Sequence, residues 1–176
     1  MEKYVFRNAC QALAAWRQVV HTLAVAEAQL EFEHRDLHWG NILIKPTTEK
    51  TVTFTVDNKK YCVETEGVKT TIIDFSLSRL TSEAVDGCTI FNNLAEDPTL
   101  FKGRGDIQFD VYRRMKTENG NSWEKFTPKT NVFWLDYLLA KMSTEVHYKA
   151  KKVDFSFSSH FYILYIKIRK YLPTLQ

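Results

Sequence analysis

Hydrophobic positions along the 176-residue chain change period several times, and each change marks an element. From Arg7 to Leu30 the chain reads RNACQALAAWRQVVHTLAVAEAQL, without Gly or Pro. Leu13, Trp16, Val20, Leu23 and Leu30 recur at close to helical spacing, which predicts one long, mostly buried helix over 7–30. Its end falls where Glu31-Phe32-Glu33 leads into a polar stretch. Ile42-Leu43-Ile44 is a short apolar run stopped by Pro46 and reads as a strand. TVTFTV (51–56) and YCVETE (61–66) alternate apolar and polar residues around Asp57-Asn58-Lys59-Lys60, the pattern of a hairpin. Thr71-Ile72-Ile73 is a further short strand leading into Asp74.

Residues 81–106 contain Gly87, Pro98, Gly103 and Gly105 and keep no period, so an irregular segment is expected there. FDVYRRMKTEN, with Asp110 near its start, is helical in pattern, and 119–129 reads as a loop. Asn131 is placed to cap a helix over 131–146. Trp16, Leu23, Trp134, Leu135 and Leu138 are the expected core. The stretch DFSFSSHFYILYIKIRKYL, 154–172, is aromatic and basic without one apolar face. The division expected is a folded unit over 1–152 and an unplaced tail over 153–176.

Composition narrows the class. Hydrophobic residues are 44% and charged residues 26%, which is globular rather than disordered. A net charge of +3 is too small to argue for direct DNA binding or a membrane surface. The three cysteines, Cys10, Cys62 and Cys88, lie far apart with no C-x-x-C, so neither a zinc site nor a disulfide framework is signalled. The N-terminus lacks the apolar run of a signal peptide, and no stretch reaches the roughly 18 apolar residues of a membrane span. An intracellular, reduced protein is expected.

The chemistry concentrates in FEHRDLHWGN (32–41) and TIIDFSLSRL (71–80). Asn41 follows Asp36 by five residues and precedes an apolar strand; a second apolar strand ends in Asp74-Phe75. Two short strands side by side would bring Asn41 and Asp74 to neighbouring ends. An amide oxygen and a carboxylate are hard ligands of the kind Mg²⁺ takes. Asp36, in the same loop, is positioned to orient a hydroxyl nucleophile or take its proton. Together they make the phosphoryl-transfer pattern H-R-D-x-x-x-x-N followed by an Asp-Phe strand end.

On HRDLHWGN, IIDFSLSRL, GDIQFDVYRRMK and NVFWLDYLLAKM, the chain resembles the C-terminal lobe of the haspin family of atypical serine/threonine protein kinases, over roughly residues 20–150. The resemblance implies an α+β fold: a kinase-like C-lobe, mainly helical, with short β-hairpins at the catalytic face. It implies ATP and Mg²⁺ as cofactors, Asp36 as catalytic base, and Asn41 and Asp74 as the metal-holding pair. His38 stands where most kinases have a lysine and is assigned to substrate hydroxyl or γ-phosphate. His34 is expected to pack beneath the loop, Arg35 to brace the segment after Asp74, and Asp110 to brace the catalytic loop by accepting its backbone N–H groups. Asp106 matches an acidic position that the family sets against a basic protein substrate such as a histone tail. Arg104 departs from that pattern, since a positive charge opposes such a tail. A nuclear or chromosomal location follows from the resemblance, and cytoplasm otherwise. Asp74-Phe75-Ser76 lacks the usual glycine. No Gly-x-Gly-x-x-Gly occurs and Lys3 is the only lysine before the loop, so a C-lobe without its N-lobe is expected. The competing expectation is a catalytically impaired lobe that serves as a binding module.

Overall fold

The computed structural model describes residues 1–82 and 87–149. The aromatic stretch within 153–176 lies outside the described residues.

Helix α1 spans Ala9–Leu30. It starts where Asn8 accepts the Gln11 N–H at 3.0 Å, an N-cap that satisfies one of the free amides of the first turn. It stops where Glu31 turns left-handed (φ 45°) and returns its N–H to Glu27. Trp16, Val19, Val20 and Leu23 are all but fully buried, and so are Trp134, Leu135 and Leu138 of helix α3 (Lys129–Thr144). The expected core residues are therefore core residues. Helix α2, Gln108–Glu118, contributes Val111, Tyr112 and Met115 to the same cluster. The Tyr112 and Tyr137 rings meet Trp134 edge-on at 5.3 and 5.4 Å between centroids, so aromatic packing ties α2 to α3.

The strands form three two-stranded antiparallel sheets. β1 (Ile42–Pro46) pairs with β4 (Val68–Ile72), with Ile42 opposite Ile72. Between them in sequence, β2 (Thr51–Val56) and β3 (Lys59–Glu64) make the expected hairpin. Its loop is two residues rather than four. Asp57 and Asn58 both have positive φ (48° and 62°), the twist that lets two residues close a hairpin. This hairpin lies against α1 rather than at the catalytic loop, with His21 between Phe54 and Tyr61. Gln18 of α1 fastens β4 through both ends of its amide: Oε1 accepts the Thr70 N–H at 3.0 Å, and Nε2 donates to Val68 O at 2.9 Å.

Four expectations are corrected. Part of the supposedly irregular 81–106 is ordered: β5 (Arg79–Ser82) pairs with β6 (Cys88–Phe91), and short 3₁₀ turns follow at Leu94–Glu96 and Pro98–Phe101. These strands are four residues each, too short for an alternation to stand out. Helix α2 begins two residues ahead of Asp110. Asn131 does not cap α3. It lies inside the helix, fully buried, because its amide is needed beneath the catalytic loop. The fold is more evenly mixed than "mainly helical", with three helices and six strands among the described residues.

Candidate active site

The catalytic loop leaves α1, crosses the core and enters β1. Its first part is anchored from below. Glu33 forms a two-residue antiparallel bridge with Arg79, each N–H donating to the other's carbonyl at 2.8–2.9 Å. His34 is fully buried, its Nε2 3.2 Å from Ile73 O and its Nδ1 3.3 Å from the Asp36 N–H. Those contacts require a neutral ring with the proton on Nε2. Burial accordingly drives its pKa down from 6.5 to about 4, against weaker help from the Ile73 carbonyl. His34 thus lies buried beneath the loop and links it to the segment carrying Asp74.

Arg35 adopts φ 65° and is wholly buried. Its guanidinium donates to both Glu33 oxygens (3.1 and 3.2 Å) and lies over the Trp123 ring at 5.4 Å. Glu33 also accepts the Thr127 N–H and the Thr130 hydroxyl, each at 2.7 Å. The pair therefore fastens the loop to the start of α3, where the expectation had Arg35 bracing the segment after Asp74. That segment is held instead by Arg79, which donates to Glu31 O and Glu124 O.

The brace assigned to Asp110 belongs to another residue. Asp110 is exposed and pairs with Arg113 on its own helix. Asn131 does the work: its Oδ1 accepts the His34 N–H at 3.0 Å, and its Nδ2 donates to Phe32 O at 2.9 Å and Glu27 Oε1 at 2.7 Å. An Asn inside an apolar helical run was the available signal, since a buried amide without partners is costly.

The upper part of the loop carries the candidate reactive groups Asp36, His38 and Asn41. The Asn41 Nδ2 donates to Asp36 O at 2.9 Å. With Nδ2 so engaged, Oδ1 is the end of the Asn41 side chain left to act as an oxygen donor. Ile73 N–H donates to Asn41 O at 3.0 Å, which continues the β1–β4 pairing past Ile42–Ile72 and sets Asp74 one residue beyond. Asp74 itself turns left-handed (φ 64°), and its Oδ1 accepts both the hydroxyl (2.7 Å) and the N–H (3.3 Å) of Ser76. Those bonds hold its carboxyl below the usual range, so it is an anion at neutral pH. The serine standing in the glycine position thus fastens the carboxylate.

Asp36 is partly buried, and desolvation pushes its carboxyl up while a hydrogen bond from the Tyr112 hydroxyl opposes the rise. The nearby charges of His38 and Asp74 also act on it, His38 lowering and Asp74 raising its pKa. Tyr112 was not among the sequence candidates; nothing in its helical position distinguished it from a core tyrosine. The His38 ring folds back, its Nδ1 accepting the Gly40 N–H at 3.1 Å and capping the short turn Trp39–Asn41. Asp106 accepts from Lys141 Nζ at 2.6 Å and from the Gln108 N–H at 2.8 Å.

Among the described residues no group of three His, Cys, Asp or Glu could hold a metal unaided. Mg²⁺ does not need one: it takes one or two protein oxygens and fills its shell with phosphate oxygens and water. Asn41 and Asp74 fit that requirement in donor chemistry. No helix among the described residues is long and apolar enough to cross a membrane.

A loop whose Asn side chain is tied to the backbone of its own Asp, and whose backbone is hydrogen-bonded to the strand end that delivers a second Asp, has the arrangement found in the catalytic loops of protein kinases. Residues 1–169 match the family model described as "Haspin like kinase domain". The chain is 43% identical over 150 residues to the serine/threonine-protein kinase haspin homolog of Drosophila melanogaster, covering 85% of this chain and 26% of that protein. It is 43% identical over 149 residues to serine/threonine-protein kinase haspin of Bos taurus, and 45% over 134 residues to that of Mus musculus. These alignments cover 82% and 76% of this chain, and 19% and 17% of the relatives. The chain belongs to the haspin kinase family and spans about a quarter or less of the length of these relatives.

Proposed function

We propose that this chain carries the catalytic-loop lobe of an ATP- and Mg²⁺-dependent serine/threonine protein kinase, corresponding to the C-lobe of a kinase domain. The observation that carries the reading is the Asp36–Asn41–Ile73 linkage, in which the Asn41 amide and backbone bind the reactive loop to the strand end bearing Asp74. In this reading Asn41 and Asp74 hold the cation of Mg-ATP. The cation supplies charge neutralisation at the phosphates. Asp36 orients the acceptor hydroxyl and takes its proton through the carboxylate that Tyr112 holds from behind. His38 stands at the mouth of the loop, its Nδ1 spent on Gly40, so that Nε2 is the nitrogen it can offer to substrate.

The acceptor is a Ser or Thr of a protein segment. A basic tail would look to Asp106, but that carboxylate is already neutralised by Lys141.

The test is thermal unfolding with and without Mg²⁺ and a non-hydrolysable ATP analogue. At a ligand concentration near 100 Kd, binding to the native state stabilises it by about 2.7 kcal/mol. For a chain of this size that is a rise in Tm of about 5–10 °C. Asp74→Asn should remove most of the Mg²⁺-dependent part. An unchanged wild-type Tm at millimolar nucleotide refutes the reading.

A further inference from the structure

Along the segment 101–110 the acidic groups Asp106 and Asp110 are already paired with cations, and two cations of the same segment are not paired among the described residues. Asp106 gives its carboxylate to Lys141 Nζ (2.6 Å) and to the Gln108 N–H. Lys141 is only 3% exposed at its side chain and also binds both oxygens of Glu145 at 2.7–2.8 Å. Burial works to raise the Asp106 pKa, but the Gln108 N–H and the Lys141 ammonium outweigh it and hold it low. Freeing Asp106 for a substrate cation would strip a buried ammonium of a partner, a costly exchange. Asp110 is engaged with Arg113. Asp36 is engaged with Tyr112.

Lys102 and Arg104, by contrast, are exposed, and neither makes an ion pair among the described residues. The loop bearing them is a built one. Arg113 Nη1 donates to Phe101 O (3.1 Å) and Gly103 O (2.9 Å), pinning its backbone to α2. At Gly103 any Cβ would fall 2.1 Å from the Phe109 ring, so the backbone approaches that ring too closely for a side chain. The loop also sits beside the reactive groups. Lys141, which binds Asp106 at the end of the loop, lies 4.8 Å from the centre of the Trp39 ring, next to His38 and two residues before Asn41.

We infer that this loop selects an acceptor segment carrying an anionic residue, carboxylate or phosphate, near its Ser or Thr, with Arg104 as the specificity-determining residue and Lys102 in support. The inference rests on the kinase reading for the position of the acceptor. Its chemistry follows from the charges alone: a guanidinium offers a planar pair of donors that fits either oxyanion, and a basic segment would meet two unscreened like charges.

The test uses the full chain and fluorescence anisotropy. Labelled peptides share one central Ser and differ only in flanking Glu, flanking phosphoserine or flanking Arg. The Glu or phosphoserine peptide should bind at least about tenfold tighter than the Arg peptide at moderate salt. Phosphoserine binding tighter than Glu identifies phosphate as the preferred partner; equal binding identifies any carboxylate, and both support the inference. Lys102→Glu with Arg104→Glu should reverse the order, and Arg104→Lys should keep it with a smaller ratio. These positions are exposed and outside the core, so the variants should melt like the wild type. Equal or tighter binding of the Arg peptide, a preference untouched by the double charge reversal, or no binding of any peptide overturns the inference. A nucleotide-dependent rise in Tm without the peptide preference leaves the kinase reading standing and this one refuted. The preference without any nucleotide effect does the reverse.

Discussion

Replacing Glu27 by Gln should make the protein more stable at pH 8 and leave little gain at pH 4.5. Glu27 is 5% exposed. One carboxylate oxygen accepts from Asn131, and the other has no hydrogen-bond partner among the described residues. Burial raises its pKa from an ordinary 4.5 to about 7, opposed by the Asn131 bond and reinforced by the Glu33 charge. The folded state therefore holds a proton that the unfolded state has lost between those values. That contribution is fully present below pH 4.5 and disappears as pH rises through 7. The interval corresponds to about 3 kcal/mol. Gln cannot ionise, so the variant escapes the penalty at high pH, less a constant for whichever way its amide meets Asn131. Wild type should hide the effect at lower pH, because His34 runs the other way. Its pKa is lowered by burial from 6.5 to about 4, so its contribution is present above 6.5 and is lost as pH falls through 4. The groups facing His34 are Ile73 O, Asp74 and His38. Between pH 4.5 and 6.5 the two slopes oppose, and wild-type stability should be nearly flat. Urea unfolding followed by tryptophan fluorescence at pH 4.5, 6 and 8 measures the difference between variant and wild type. A difference that does not grow with pH refutes the protonation of Glu27, and with it the view that its burial is tolerated by neutralising it.

Asn131→Leu removes three buried hydrogen bonds and strands the His34 N–H, Phe32 O and Glu27 partners; it should cost about 3–5 kcal/mol in urea unfolding, and a loss below 1 kcal/mol would return Asn131 to an ordinary helix position. Tyr112→Phe keeps the ring against Trp134 but deletes the bond to Asp36; the Asp36 carboxyl carbon, followed by NMR, should titrate at higher pH than in wild type, and an unchanged titration would show that the hydroxyl does not support the anion. Gly103→Ala drives a methyl into the Phe109 ring and should destabilise by about 1–3 kcal/mol, read as a lower urea midpoint; a neutral effect would mean the loop is not held on that ring.

Much of this was legible in the chain before any coordinates. Long α1, the 51–64 hairpin and the strand ahead of Asp74 announce themselves by period, and the core tryptophans by their place in it. HRDLHWGN and IIDF carry the reactive loop in sequence order because a strand end and a loop need only local spacing to meet. What failed to show had a common cause: it depends on pairings across the chain. Asn131 lies 97 residues from His34 and looks like a helix cap; only the packing of α3 under the loop reveals it as a brace. Asp110 was credited with that role because it too opens a helix, yet it is turned to solvent. Asp106 and Tyr112 owe their meaning to Lys141 and Asp36, 35 and 76 residues away.

These long-range pairings explain why the loop can keep its shape from below. Two residues of the site, Arg35 in the loop and Asp74 beyond β4, sit in left-handed backbone that non-glycine residues seldom adopt and that has to be held by surrounding contacts. Each is held by its own side chain: Arg35 by Glu33 and Trp123 in the core, Asp74 by Ser76 at the rim. The Arg35 guanidinium is fully enclosed, with Glu33 already against it, so an incoming phosphate would have to open the core to reach it. A loop braced this way takes its geometry from folding rather than from a modification, and its set-point is the Glu33 carboxylate. Glu33→Gln should therefore do more harm than deleting a surface ion pair. It leaves Arg35 buried without a counter-charge and should cost about 3–5 kcal/mol in urea unfolding. The same variant should weaken Mg-nucleotide binding even where the fold survives, because the backbone turn at Arg35 is what delivers Asp36 and Asn41 to the face. A Glu33→Gln protein that keeps wild-type stability and nucleotide response would show that the loop is shaped by Asn131 and His34 alone.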